Sequence, residues 1–140
     1  MADYSTARIL LVDDSLPMRT ITSMILRGLG FPNQRFAEDE DTAFQLIREY
    51  TPDLIITDIN RPSADGLQLI RTVRNDFPSP LNTTQILIIT AYATEAHVRA
   101  CLASGVDQML IKPLAPASLA LRLNVLMTED RQFVREGGYF

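Results

Sequence analysis

Cysteine is nearly missing from this chain: one thiol, Cys101, in 140 residues. A lone cysteine cannot close an internal disulfide, and this one has no metal-ligand companions in the sequence, so it fits a reducing compartment and little more. Long apolar runs are missing too. None approaches the roughly 18–20 residues needed to cross a bilayer. The start, Met1-Ala2-Asp3-Tyr4-Ser5, has neither the basic opening nor the apolar stretch of a signal peptide. The expected location is therefore the cytoplasm, with no membrane partner. Positive charge is also scarce: thirteen Lys plus Arg stand against seventeen Asp plus Glu, a formal net charge of −4. Nucleic-acid affinity is dominated by Lys and Arg neutralising phosphates, so direct nucleic-acid binding is not expected. Internal repeats and low-complexity tracts are lacking as well.

What is present is one domain's worth of chain, 46% hydrophobic and 21% charged, enough to bury a proper core. Short aliphatic runs alternate with longer amphipathic stretches. The strand candidates are Ile9-Leu10-Leu11-Val12, a weaker Gln34-Arg35-Phe36-Ala37, Leu54-Ile55-Ile56-Thr57, Ile86-Leu87-Ile88-Ile89-Thr90 and Gln108-Met109-Leu110-Ile111. Three are almost unbroken Ile, Leu and Val, as strands read when helices bury both their faces.

Five helices are expected between them. The first runs from about Leu16 to Leu29, capped by Ser15, with Met18, Ile21, Ile25 and Leu29 at helical spacing and Gly28 and Gly30 at its end. The second covers Asp41 to Tyr50, with Ala43, Phe44 and Ile47 on one face. The third starts at about Gly66 and carries Leu67, Ile70, Val73 and Arg74. The fourth spans Thr94 to Ser104 with Val98, Cys101 and Leu102 facing in, and the fifth opens at Pro116 with Leu119, Leu123 and Leu126. Five β-α repeats in one domain imply an α/β, doubly wound, flavodoxin-like sandwich. Right-handed crossovers favour a parallel five-stranded sheet of order 2-1-3-4-5.

In such folds the ligand crevice lies beyond the C-terminal strand ends. Asp13-Asp14 follow the first strand, Asp58 and Asn60 the third, Thr90-Ala91 the fourth, and Lys112-Pro113 the fifth. Three converging carboxylates repel one another unless a cation compensates. Mg²⁺ takes oxygen ligands and keeps several waters, so Asp13, Asp14 and Asp58 suit it better than Zn²⁺, which favours Cys and His. The chemistry that suits this set is phosphoryl transfer to a carboxylate nucleophile, Asp58, with Lys112 and Thr90 taking the remaining phosphoryl oxygens.

The segments Leu11-Val12-Asp13-Asp14-Ser15, Thr57-Asp58-Ile59-Asn60-Arg61-Pro62, Ala64-Asp65-Gly66, Ile89-Thr90-Ala91 and Lys112-Pro113-Leu114, in this order, resemble those of response-regulator receiver domains of the stand-alone, chemotaxis type. The resemblance runs from about Arg8 to Leu126. It implies a two-component signalling protein, not an enzyme with a diffusible substrate. Asp58 would accept a phosphoryl group from a sensor histidine kinase or histidine phosphotransfer protein, with self-phosphorylation and self-dephosphorylation as its only chemistry. It further implies Mg²⁺ held by the side chains of Asp14 and Asp58, by Asp13 largely through water, and by the backbone carbonyl of Asn60. Lys112 and Thr90 would sense the phosphoryl group, and the Lys112–Pro113 bond would be cis. Met109 stands where the family usually has an aromatic switch residue, and Arg61 and Tyr92 flank the site.

Each residue alone has a plainer explanation. Asp13-Asp14 could favour a helix N-terminus, Asp58 could be a turn residue, Thr90 a satisfied strand-end hydroxyl and Lys112 a solvated lysine. His97 is expected at the surface, exposed or partly buried, and Cys101 in the core. Other classes remain open: a phosphatase with an aspartyl-phosphate intermediate, a flavin binder of the same fold, or a phosphorylation-independent scaffold. The fourth helix, fifth strand and fifth helix form the expected output face toward an unidentified downstream protein. The last helix carries more apolar residues than one core stripe needs, which points to a partner or homodimer surface there. Residues 1–127 are expected to form the receiver domain and 128–140 a helix extension with a loose tail.

Overall fold

The computed structural model describes residues 4–59 and 64–128. Strands and helices alternate as β1 (Ile9–Val12), α1 (Leu16–Gly28), β2 (Gln34–Ala37), α2 (Glu40–Tyr50), β3 (Leu54–Ile59), α3 (Ala64–Asp76), β4 (Gln85–Thr90), α4 (Glu95–Ala103), β5 (Gln108–Ile111) and α5 (Pro116–Thr128). A 3₁₀ turn, Leu81–Thr83, precedes β4. The sheet order is β2-β1-β3-β4-β5 and every pairing is parallel, the doubly wound order the sequence pattern implies. Of the expected helix extension and tail, 128–140, Thr128 ends α5 and residues 129–140 lie outside the described residues.

The two-residue period of the strands sorts their side chains into two cores. Leu10, Ile55, Ile86 and Ile88 pack with Ala43, Ile47, Ile70, Val73 and Cys101 beneath α2, α3 and α4. Ile9, Leu11, Leu54, Ile56, Leu87 and Ile89 pack with Leu26, Leu119, Leu123 and Leu126 beneath α1 and α5. Every residue of β4 is buried. Each such aliphatic side chain contributes about 1.5–3 kcal/mol on leaving water, which is why these runs form strands despite their short length. The edge strand β2 reads weakly because Arg35 and Phe36 face solvent. Its buried Gln34 is satisfied instead by polar partners, accepting from Ser23 Oγ at 2.7 Å and donating to the Phe31 carbonyl at 2.7 Å.

Of the helically spaced Met18, Ile21, Ile25 and Leu29 along α1, Met18, Ile25 and Leu29 are half-buried, and Ile25 and Leu29 pack on the α1/α5 core, but Ile21 is 49% exposed. The most buried positions of the helix are Thr22, Ser23 and Leu26, with Ser23 bonded to Gln34. Ser15 caps the helix as expected, accepting from the Met18 N–H. Asp39 and Thr94 cap α2 and α4 in the same way. Two further expectations are corrected: α3 begins at Ala64, two residues before Gly66, and Leu102 points outward, 58% exposed, because Cys101 and His97 occupy the inward face of α4. In α5, Leu119, Leu123 and Leu126 are buried while Leu121 and Val125 lie exposed.

Candidate functional site

Register decides which strand ends meet. Val12 pairs with Thr57, so Asp13 and Asp58 lie side by side one step beyond. Asp58 pairs with Ile89, Ile59 with Thr90, and Thr90 with Ile111, which places Lys112 at the next step of the same rim. Pairing continues past the strands: the Asp13 N–H donates to the Ala37 carbonyl at 2.9 Å, and the Lys112 N–H to the Thr90 carbonyl at 2.7 Å. By the same alternation Asp13 follows Leu11 and Asp58 follows Ile56, so both carboxylates belong to the α1/α5 face.

Lys112 Nζ lies 2.7 Å from Asp58 Oδ2, with the Asp58 side chain 6% exposed and that of Lys112 18%. The other oxygen, Oδ1, is buried and has no hydrogen-bond partner among the described residues. Asp13 is buried as well; its Oδ1 accepts the Ser15 N–H at 2.9 Å and its carbonyl accepts from Arg19 Nη1 at 2.8 Å. Burial above all raises the Asp13 carboxyl to about 6, and the negative neighbour Asp58 adds to the rise; the Ser15 N–H and Lys112 oppose it. Lys112 is the chain's single lysine; the other twelve of its thirteen Lys and Arg residues are arginine. That composition, visible in the sequence, is a signal that a compact ammonium is wanted at this rim.

The fit to Mg²⁺ follows from these atoms. A buried carboxylate oxygen without a hydrogen-bond partner, beside a second carboxyl whose pKa burial raises, is a pair of hard oxygen donors that the single Lys112 ammonium only partly compensates. Mg²⁺ needs only one or two carboxylates, its remaining positions being water or phosphate oxygens. Asp14, the third expected ligand, is exposed, and no cluster of three His, Cys, Asp or Glu side chains able to hold a metal occurs among the described residues. Asn60, whose carbonyl is the fourth expected ligand, and Arg61 lie outside the described residues.

Thr90 is fully buried at the end of β4, on the face of α4. Its Oγ1 accepts the Tyr92 N–H at 3.2 Å and meets Nε2 of His97 at 3.1 Å. His97 is therefore no surface residue: it is 6% exposed, and its ring stands nearly perpendicular to that of Tyr92 with centroids 5.9 Å apart. The i, i+4 spacing of His97 and Cys101 could have revealed it, since an inward Cys101 carries His97 to the same face. Met109 is half-buried against the α2/α3/α4 core and pairs with Ile88, while the Lys112–Pro113 peptide is cis.

Residues 9–124 match the family described as the response regulator receiver domain. The chain is 34% identical over 117 residues to chemotaxis protein CheY-3 of Vibrio cholerae, covering 84% of this chain and 88% of that one. It is 36% identical over 106 residues to chemotaxis protein CheY of Pseudomonas aeruginosa, covering 76% and 84%. Among solved structures, a putative response regulator from Chloroflexus aurantiacus superposes with a TM-score of 0.77 at 31% identity, over 88% of this chain and 98% of that one.

Proposed function

The chain belongs to the response regulator receiver domain family, and from that premise we propose that it is a phosphoryl-accepting switch in a two-component pathway, with Asp58 as acceptor. The observation that carries this reading is the division of labour within one carboxylate: Oδ2 is held by Lys112, and buried Oδ1 is left without a donor. A carboxylate so oriented can present its free oxygen to phosphorus while the ammonium stays at hand for the charge that accumulates on the phosphoryl oxygens. The donor is a phosphohistidine on a sensor kinase or histidine phosphotransfer protein. The Asp58 O–P bond forms as the P–N bond breaks, and the imidazole leaves with its electron pair and takes up a proton.

Asp13, Asp14, Asp58 and the Asn60 carbonyl are the groups that would hold Mg²⁺, whose charge, when bound, offsets that of the carboxylates and phosphoryl oxygens. Lys112 and Thr90 would receive the phosphoryl oxygens, the first as a charge and the second as a hydroxyl donor. Thr90 leads to α4, and Lys112 follows β5, so α4, β5 and α5 are the proposed output face toward a downstream protein or a second copy. Met109, with three rotatable side-chain bonds, would repack there in place of an aromatic swing.

Incubation with acetyl phosphate and Mg²⁺, followed by intact-mass measurement, tests the assignment. One phosphoryl group is expected on the wild type and none on Asp58→Asn; retention of the added mass by that variant overturns it.

A further inference from the structure

The step from Asp58 to α4 runs through a contact that the acceptor chemistry does not require. Thr90, in phase with Ile86 and Ile88, faces α4, whereas Asp58, in phase with Leu54 and Ile56, faces α1 and α5. The Thr90 hydroxyl is thus engaged on the far side of the sheet from its proposed phosphoryl ligand, by a histidine seven residues along the chain.

Proton counting fixes the sense of that bond. A threonine hydroxyl has two acceptor lone pairs and one proton. Oγ1 already accepts from the Tyr92 N–H, so its own proton needs an acceptor, and Nε2 is the group in reach among the described residues. A ring protonated on Nε2 would leave the O–H unsatisfied in a fully buried position, which proteins avoid. The assigned form is the neutral imidazole with its proton on Nδ1. Cys101 Sγ, 3.5 Å from the same nitrogen, is a weak thiol donor and no competitor for the role.

One proton cannot serve two acceptors. We infer that His97 is a positioning residue that withholds the Thr90 hydroxyl from the phosphoryl group, and that phosphorylation works by taking this proton from Nε2. The inference rests on the reading of Asp58 and Thr90 given above. His97 stands in the first turn of α4, where its N–H is held by the Thr94 cap, and its ring packs at a steep angle against that of Tyr92. Losing the contact therefore frees the start of α4 and the Tyr92 ring in one event. His97 sets how much of the phosphoryl group's binding free energy is spent on release.

Beryllofluoride with Mg²⁺, an inert mimic of a phosphorylated carboxylate, is titrated into the full chain and its variants. His97→Phe removes the acceptor and keeps the ring; it is expected to bind the mimic more tightly by roughly two- to tenfold, the equilibrium shift one net hydrogen bond carries. His97→Gln, whose amide oxygen can accept, is expected to restore the wild-type value. In a Thr90→Val background the same His97→Phe change is expected to do nothing further. Because His97 is the only histidine in the chain, its imidazole ¹⁵N resonances are assigned without ambiguity. The wild-type Nε2 signal is expected to move on saturation as its hydroxyl partner departs, a readout that stands even if a variant folds poorly. Phe and Gln variants of equal affinity, or an unmoved Nε2 signal, overturn the inference while leaving Asp58 as acceptor. Absence of Asp58-dependent binding in the wild type overturns the functional reading and this inference together.

Discussion

Lys112 Nζ and Asp58 Oδ2 meet at 2.7 Å across the rim between β5 and β3, with the carboxylate almost wholly withdrawn from water. Such a pair has little to lose to screening by salt and much to lose from removal of one partner.

Lys112→Met leaves the Asp58 charge buried beside Asp13 without compensation. A loss of about 1–3 kcal/mol is expected, the usual range for an abandoned buried polar group. Combining it with Asp58→Asn is expected to return most of that loss, since the stranded charge is then gone. Urea unfolding of the wild type, both single variants and the double variant in metal-free buffer measures the coupling; additive effects would contradict a direct pair.

Asp39 holds the start of α2 through a carboxylate that accepts the Thr42 N–H at 2.7 Å, and this bond lowers its pKa below the ordinary 3.8. A depressed folded pKa means the stabilisation is present in full above 3.8 and is lost as pH falls through the lower folded value. Asn caps helices equally well but does not titrate. Asp39→Asn should therefore gain in melting temperature relative to the wild type only below pH 3.8, with the wild type at least its equal near neutrality.

Gly105 has φ +106°, and a Cβ there would come within 3.0 Å of Arg74 Cγ. Arg74 cannot yield freely: its guanidinium donates to the carbonyls of Gly105, Asn82 and Thr84 and to Asp107 Oδ2. Gly105→Ala is expected to cost at least about 1–2 kcal/mol from the backbone alone, seen as a lower urea midpoint.

Cys101 is fully buried, and burial raises its thiol pKa, so little reactive thiolate exists near neutral pH. Reaction with a disulfide reagent should be slow in the folded protein and fast in denaturant. Rapid labelling without denaturant would mean that α4 does not cover this residue.

The sequence made the strands legible because β1, β3 and β4 are sandwiched and have no polar face to blur the pattern. The strand ends followed, and register then brought Asp13, Asp58 and Lys112 to one rim. What escaped notice was contact between side chains of unlike class. Ser23 and Gln34 satisfy each other on the buried face of α1, while Ile21 lies in solvent. The i, i+4 spacing with Cys101 puts His97 on the inward face of α4, but its polar partner Thr90 is set by the path of residues 91–94 and is not read from that spacing.

The parallel pairing of β4 with β3 and β5, and its burial along all six residues, make the strand a fixed stator. Slippage by one residue would invert its side chains between the two layers, so axial sliding is barred. On the proposed reading, a movement begun at Thr90 is therefore taken up by the segment after it, beside the second route through Lys112 and β5, and α4 acts as a lever with its fulcrum at the strand's last residue.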